Sequence, residues 1–210
     1  MKSLRPLALL LCVASLCACA GPGKISAQNR AAIHSMRLIN PPQGAEADCY
    51  SDSTSQAAGM VGAQFGLIGG LVGGAIAASD INAGVQRWAP LTSGRQDEVL
   101  QLVRNQVEKE FLQSGKVHCL PNGASDAQLE FKRIGYGVTH AGAQHFRVII
   151  VASVEMKKAN GEVVWRTSSS AESSACRTLE EYKQDPKTYT DSLQEVAESL
   201  AAKLITAYQS

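Results

Sequence analysis

Apolar residues recur along this chain at more than one period, and each period predicts a different kind of element. The clearest is an alternation in which Phe146, Val148, Ile150, Ala152, Val154 and Met156 interleave with Arg147, Ile149, Val151, Ser153, Glu155 and Lys157. Such alternation predicts a strand with one buried face. Asn160-Gly161 follows with the chemistry of a tight hairpin turn, since both residue types accept positive φ. Glu162 to Ala171 is then the return strand, with Val163, Trp165 and Thr167 on one face. Upstream, Gln128 to Val138 is a further strand whose parity changes from Leu129 and Phe131 to Ile134, Tyr136 and Val138. That change predicts a bulge near Lys132-Arg133. Lys116 to Leu120 and Ile33 to Ile39 are shorter candidates, ended by Pro121-Asn122-Gly123 and by Pro41-Pro42. Residues 41–56 are polar and turn-rich and read as a loop.

Between Gln96 and Ser114 the period becomes helical, with Val99, Val103, Val107 and Phe111 at four-residue steps and Leu100 and Leu112 flanking. Gly115 is the stop signal. After a polar connection holding Cys176 and Pro186, Tyr189 to Tyr208 repeats the pattern with Leu193, Val196, Leu200 and Leu204, bordered by Ala197, Ala201 and Ile205. The order helix, antiparallel strands, helix predicts an α+β domain over 94–210. Its expected form is a two-layer sandwich, a small and mainly antiparallel sheet with two helices on one face. Residues 80–93 are expected as a linker to what precedes it.

What precedes it follows neither pattern. From Ala57 to Ala78 no charged residue occurs, and seven glycines do: Gly59, Gly62, Gly66, Gly69, Gly70, Gly73 and Gly74. At about 100° per residue all seven fall, with Ala63 and Ala77, inside an arc of about 140°. Met60, Val61, Phe65, Leu67, Ile68, Leu71, Val72 and Ile76 fill the rest of the circle. A flexible linker has no reason to sort its glycines by angle, so 56–79 is expected as a separate glycine-rich hydrophobic helix. Its small-residue edge admits another backbone closely, the means by which helices associate in lipid. Each interior glycine costs about 1 kcal/mol relative to alanine, so the segment needs a bilayer or a closely packed partner to be helical. At about 33 Å it is long enough to cross a hydrocarbon core of about 30 Å. A helix buried in the domain, or an irregular Gly/Ala loop, is the other reading.

The amino terminus adds a location. Lys2 and Arg5 precede an apolar run, Leu7 to Leu16, that is too short to span a bilayer, and small residues follow. This is the pattern of an export signal. Leu16-Cys17-Ala18-Cys19 resembles the lipobox of bacterial lipoproteins. That resemblance implies removal of residues 1–18 and acylation of Cys19, leaving 19–55 as a lipidated amino terminus, first strand and loop. The competing reading is cleavage after Ala18-Cys19-Ala20, which releases a soluble periplasmic protein. The chain of 210 residues then loses Lys2 and Arg5 and no acid, so the mature form carries 18 basic and 19 acidic residues. Without a basic block, nucleic acid is not an expected partner. Cys49, Cys119 and Cys176 remain in an oxidising compartment, so one disulfide and one leftover thiol are expected. Cys119 with Cys176 is the favoured pairing and Cys49 the alternative member.

Two further resemblances bear on function. The segregated glycines resemble the glycine-zipper segments of outer-membrane lipoproteins, and Ala20 after Cys19 resembles the sorting pattern for the outer membrane. The stretch Val154-Glu155-Met156-Lys157-Lys158-Ala159-Asn160-Gly161-Glu162-Val163-Val164-Trp165 resembles the hairpin of several envelope lipoprotein domains. These are akin to the amino-terminal domain of the Tol propeller protein and to lipopolysaccharide-assembly and curli-secretion lipoproteins. The resemblance implies a non-enzymatic outer-membrane lipoprotein on the periplasmic side, which binds another envelope protein and self-associates through the zipper. A pore-forming or membrane-perturbing oligomer and a periplasmic small-ligand carrier are the rival classes.

Chemistry is sparse. His140 and His145 flank a hairpin tip, but a metal normally needs a third or fourth ligand, and none has suitable spacing. His118 and Cys119 are strand neighbours, which point to opposite faces. The glycine-rich stretch lacks the Lys-Ser or Lys-Thr of a phosphate loop. No catalytic residue, metal or cofactor is expected.

Overall fold

The computed structural model describes residues 23–42, 44–50, 87–115, 117–142 and 144–210. The expected signal peptide 1–18 and zipper helix 56–79 lie outside these residues. Helix α1 (Ala27–Ala32) opens the described chain, followed by β1 (Ser35–Ile39) and β2 (Ala45–Tyr50). After helical residues 87–92 come α2 (Gln96–Gln113), β3 (His118–Cys119), β4 (Ala127–His140), β5 (Phe146–Lys158) and β6 (Val163–Glu172). Helices α3 (Leu179–Gln184) and α4 (Pro186–Gln209) complete it.

The strands form one six-stranded sheet in the order β3-β1-β4-β5-β6, with β2 also on β4. The β4–β5 and β5–β6 pairs are antiparallel, as the alternation predicts. The expectation of a mainly antiparallel sheet is corrected at the other side, where β1–β3, β1–β4 and β2–β4 are all parallel. β3 does not fold back on β4. Asp126, just before β4, accepts hydrogen bonds from the backbone N–H groups of His34 and Ser35 at 3.0 and 2.9 Å. This ties the start of β1 to the start of β4 and leaves β3 to pair outside β1.

β1 and β2 act as one interrupted strand. β1 runs beside Ala127–Glu130 and β2 beside Ile134–Thr139. The break between them, turned at Pro41 and Gly44 (φ 74°), falls opposite the bulge at Lys132. The bulge is where the parity change placed it, with Phe131 facing Val154 and Arg133 facing Ser153. The hairpin turn differs in detail. Gly161 has φ of 84° but Asn160 is not left-handed, and the register shifts so that Val164 has no partner on β5.

The helices obey their terminal chemistry. Gly115 (φ 65°) follows α2, Thr178 caps α3 in a reciprocal box with Glu181, and Asp185-Pro186 starts α4. α2 packs on β2, β3 and α4, while α4 packs on β5 and β6. Val99, Val103, Val107 and Phe111 of α2 and Leu193, Val196, Leu200 and Leu204 of α4 all enter the main core, as the periodicity predicts.

Residues outside 94–210 also contribute to the core. Trp88, within the expected linker, is buried in the core and stacks edge-on against Phe146 (centroids 4.9 Å) and Tyr182 (5.9 Å). The folded unit also does not begin at 94, because Ile25, Ile33, Met36, Leu38 and Ala45 share its core. Described residues on both sides of 51–86 therefore share one core.

Candidate interaction face

The sheet has two unequal faces. On β5, Phe146, Val148, Ile150, Ala152, Val154 and Met156 face the main core with Leu129, Phe131, Ile134, Tyr136 and Val138 of β4. The opposite face is built from Arg147, Ile149, Val151, Ser153, Glu155 and Lys157, because successive residues alternate sides. The bulge at Lys132 keeps this true along all of β4 by resetting parity midway.

One half of the second face is a closed network of charges. Glu130 accepts from Lys132 at 2.8 Å and from Lys157 at 2.7 Å. Glu155 pairs with Lys157 at 3.1 Å and with Arg166 across on β6. Burial raises the Glu155 carboxyl, but the hydrogen bonds from Lys157 and Arg166 outweigh it and hold it below its ordinary range. Glu130 is held low by Lys132 and Lys157. Arg133–Glu46 (3.0 Å) and the Ser153–Ser168 hydroxyl pair (2.8 Å) form the border of this network.

Beyond that border the face becomes small and apolar. Gly135 sits between Glu46 and Val151 in register, and Gly137 between Asp48 and Ile149. Ser170 and Glu172 of β6 flank the two β-branched residues. Ile149 and Val151 are each only 8% exposed and form a cluster separate from the main core. Gly135 and Gly137 are buried too. Both glycines lie in regular paired strand. No turn requires them, and glycine in a strand interior weakens it or marks a close backbone approach. Thr139, next on the same side, is fully buried and its hydroxyl has no hydrogen-bond partner. This half of the face is small, apolar and already buried.

The residues singled out from the sequence do not gather here. Cys19 and Gly59, Gly62, Gly66, Gly69, Gly70, Gly73 and Gly74 lie outside the described residues. The backbone of Cys49 pairs with Val138 on β2. The expected Cys119–Cys176 disulfide is corrected, since both are free thiols. Cys119 pairs with Met36 beside the start of β4, whereas Cys176 adjoins Arg177, which bridges Phe146 at the opposite end of β5. The length of the sheet separates them, well beyond disulfide reach. Burial, then Glu108, pushes the Cys119 thiol up to about 11 against the opposing charge of Arg104, which makes it a poor nucleophile. Among the described residues no group of three or more His, Cys, Asp or Glu could hold a metal ion. Among them, too, no helix is long and apolar enough to cross a membrane. The G-x-G pair on β4 carried the only sequence signal for the apolar half-face, two glycines at strand spacing inside an apolar alternation.

No family model matches the chain, and no curated protein does. Several solved structures are similar in part. One is a Xanthomonas campestris protein of family DUF330, at 16% identity and a TM-score of 0.38 over 50% of this chain. The match spans 58% of that protein. A protein from Caulobacter crescentus described as a candidate lipoprotein is similar at 13% identity and 0.37, over 50% of this chain and 76% of its own. A minor lipoprotein from Acinetobacter baumannii is similar at 10% identity and 0.40, over 49% and 78%. Likenesses this partial carry no argument about what the chain does.

Proposed function

We propose that this chain is a non-enzymatic lipoprotein of the bacterial envelope, tethered by acyl chains on Cys19 to the periplasmic side of the outer membrane. Its α/β domain serves as an accessory or scaffold unit that binds another envelope protein, and copies associate through the zipper segment 56–79. The observation that carries this reading is Leu16-Cys17-Ala18-Cys19 at the end of a short apolar export signal. The hairpin from Val154 to Trp165, with its likeness to envelope lipoprotein domains, points the same way.

Crosslinking in intact cells followed by co-purification tests the reading. The native chain should yield crosslinked oligomers and a captured envelope protein in outer-membrane fractions from a sucrose gradient. Gly66→Leu with Gly70→Leu should remove the oligomers while leaving the protein membrane-bound. Oligomers of unchanged yield in the double variant would end the zipper assignment. Recovery of the native chain in the soluble fraction would end the lipoprotein assignment.

A further inference from the structure

Gly23 is four residues beyond Cys19. Four residues reach at most about 14 Å when fully extended, so an acylated Cys19 keeps Gly23 that close to its lipid. Gly23, Lys24 and α1 lie at one end of the sheet. There Asp126 ties His34 and Ser35 to the start of β4, and its carbonyl accepts from the Ala159 N–H of the β5–β6 turn at 3.1 Å. α4 ends at the same place, because Arg30 of α1 donates to the Tyr208 and Gln209 carbonyls. The other end, where His140 faces Phe146 and Arg177 bridges Phe146, is about 40 Å away along β4.

A domain held this closely turns one of its surfaces to the phosphates of the membrane. The helical layer is unsuited to that place. α2 and α4 together carry seven acidic and four basic residues, and Asp97, Glu98, Asp191, Glu195 and Glu198 are exposed. Phosphates repel such a surface. The charged sheet face has its cations engaged, with Lys132, Lys157 and Arg166 held by Glu130 and Glu155. The end at α1 differs. Its negative groups are covered: Asp126 accepts from two backbone N–H groups, Glu162 pairs with Lys158 at 3.2 Å, and Arg30 meets the carbonyls at the negative end of the α4 dipole. Lys24 is exposed, and no Asp or Glu occurs from Cys19 to Gly44. Ala27, Gln28, Ala31, Ala159 and Asn160, exposed at the same end, are uncharged.

We propose that this end of the domain, formed by Lys24, α1 and the β5–β6 turn, rests on the phospholipid headgroups of the membrane that holds Cys19. The strands then rise away from the bilayer. The inference rests on the reading of Cys19 as acylated, and it adds which surface the anchor turns to lipid. Lys24 supplies the cation for the phosphates, worth about 1 kcal/mol at an anionic surface. The charged sheet face and the His140 end are left open to a protein partner.

The test is fluorescence quenching by a lipid with a nitroxide on its headgroup. Protein extracted by detergent from cell envelopes is reconstituted in vesicles of phosphatidylethanolamine and phosphatidylglycerol. Cys49, Cys119 and Cys176 are replaced by serine, and a single fluorophore is placed at Gln28→Cys, Ala159→Cys, Asn105→Cys, Ser168→Cys or a retained Cys176. All five positions are exposed, and the thermal melt of each labelled protein confirms its fold. Gln28→Cys and Ala159→Cys should be quenched severalfold more than the other three. Quenching at Asn105→Cys equal to theirs would lay the helical layer on the membrane, and at Ser168→Cys the sheet face. Either result overturns the proposal, as does equal quenching at all five positions. The mass of the Cys19 peptide from the same preparation separates the two levels. A diacylglyceryl cysteine with an even quenching pattern ends the orientation alone, whereas an unmodified cysteine ends the anchor reading beneath it.

Discussion

Individual side chains in this protein are held by geometry that makes their removal readable. The Tyr136 hydroxyl donates to the Thr92 carbonyl at 2.7 Å inside the core, and burial pushes its pKa up. Tyr136→Phe leaves that buried carbonyl only the long bond from the Arg95 N–H at 3.4 Å, a loss of about 1 kcal/mol. Urea denaturation should show a lower midpoint at unchanged slope. Glu155 offers a pH test. Its folded carboxyl titrates below its ordinary value of 4.5, against burial, because Lys157 and Arg166 bind the ionised form. The stability it contributes is complete above 4.5 and is lost as pH falls through the lower folded value. Glu155→Gln should therefore be less stable than the native chain at pH 7 and lose less on acidification, read as urea midpoints from neutral pH downward. A larger acid loss in the variant would contradict the pairing.

Elements differ in how openly the sequence declares them. Strand β5 and helices α2 and α4 are legible because their apolar residues keep one period for three turns or more, or for a full alternation. β2 was legible only as loop, since Ala45-Glu46-Ala47-Asp48 offers no bulky apolar residue and gains its pairing wholly from β4. α1 and α3 are too short for a period, although Ser26 and Thr178 announce them as caps. Thr178→Ala should cost about 1 kcal/mol, because the α3 N-terminus loses its reciprocal box with Glu181. Leu200→Ala, at a fully buried position of α4, should cost about 2–5 kcal/mol. Thermal unfolding of both variants tests the ranking. A Thr178→Ala loss as large as that of Leu200→Ala would contradict a role for Thr178 as a helix cap alone.

At the scale of the whole molecule, the sequence carries an expectation of location and no sign of topology. Lys2, Arg5, the Leu7–Leu16 run and Cys19 can be read in order, because export and acylation act on linear sequence. That β1 and β2 belong to the same sheet as β4 depends on parallel pairing between segments far apart in sequence, and parallel partners leave no local turn signal. The apolar half-face has a different cause, since Gly135 and Gly137 acquire meaning only when the antiparallel register of β4 and β5 sets Val151 and Ile149 beside them. The central claim, that the domain is tethered to the envelope through an acylated cysteine, is open to one direct measurement. The mass of the amino-terminal peptide, taken from protein extracted by detergent from cell envelopes, should correspond to a chain that begins at Cys19 and carries a diacylglyceryl group. An unmodified peptide that begins at Gly21, recovered without detergent, would contradict it.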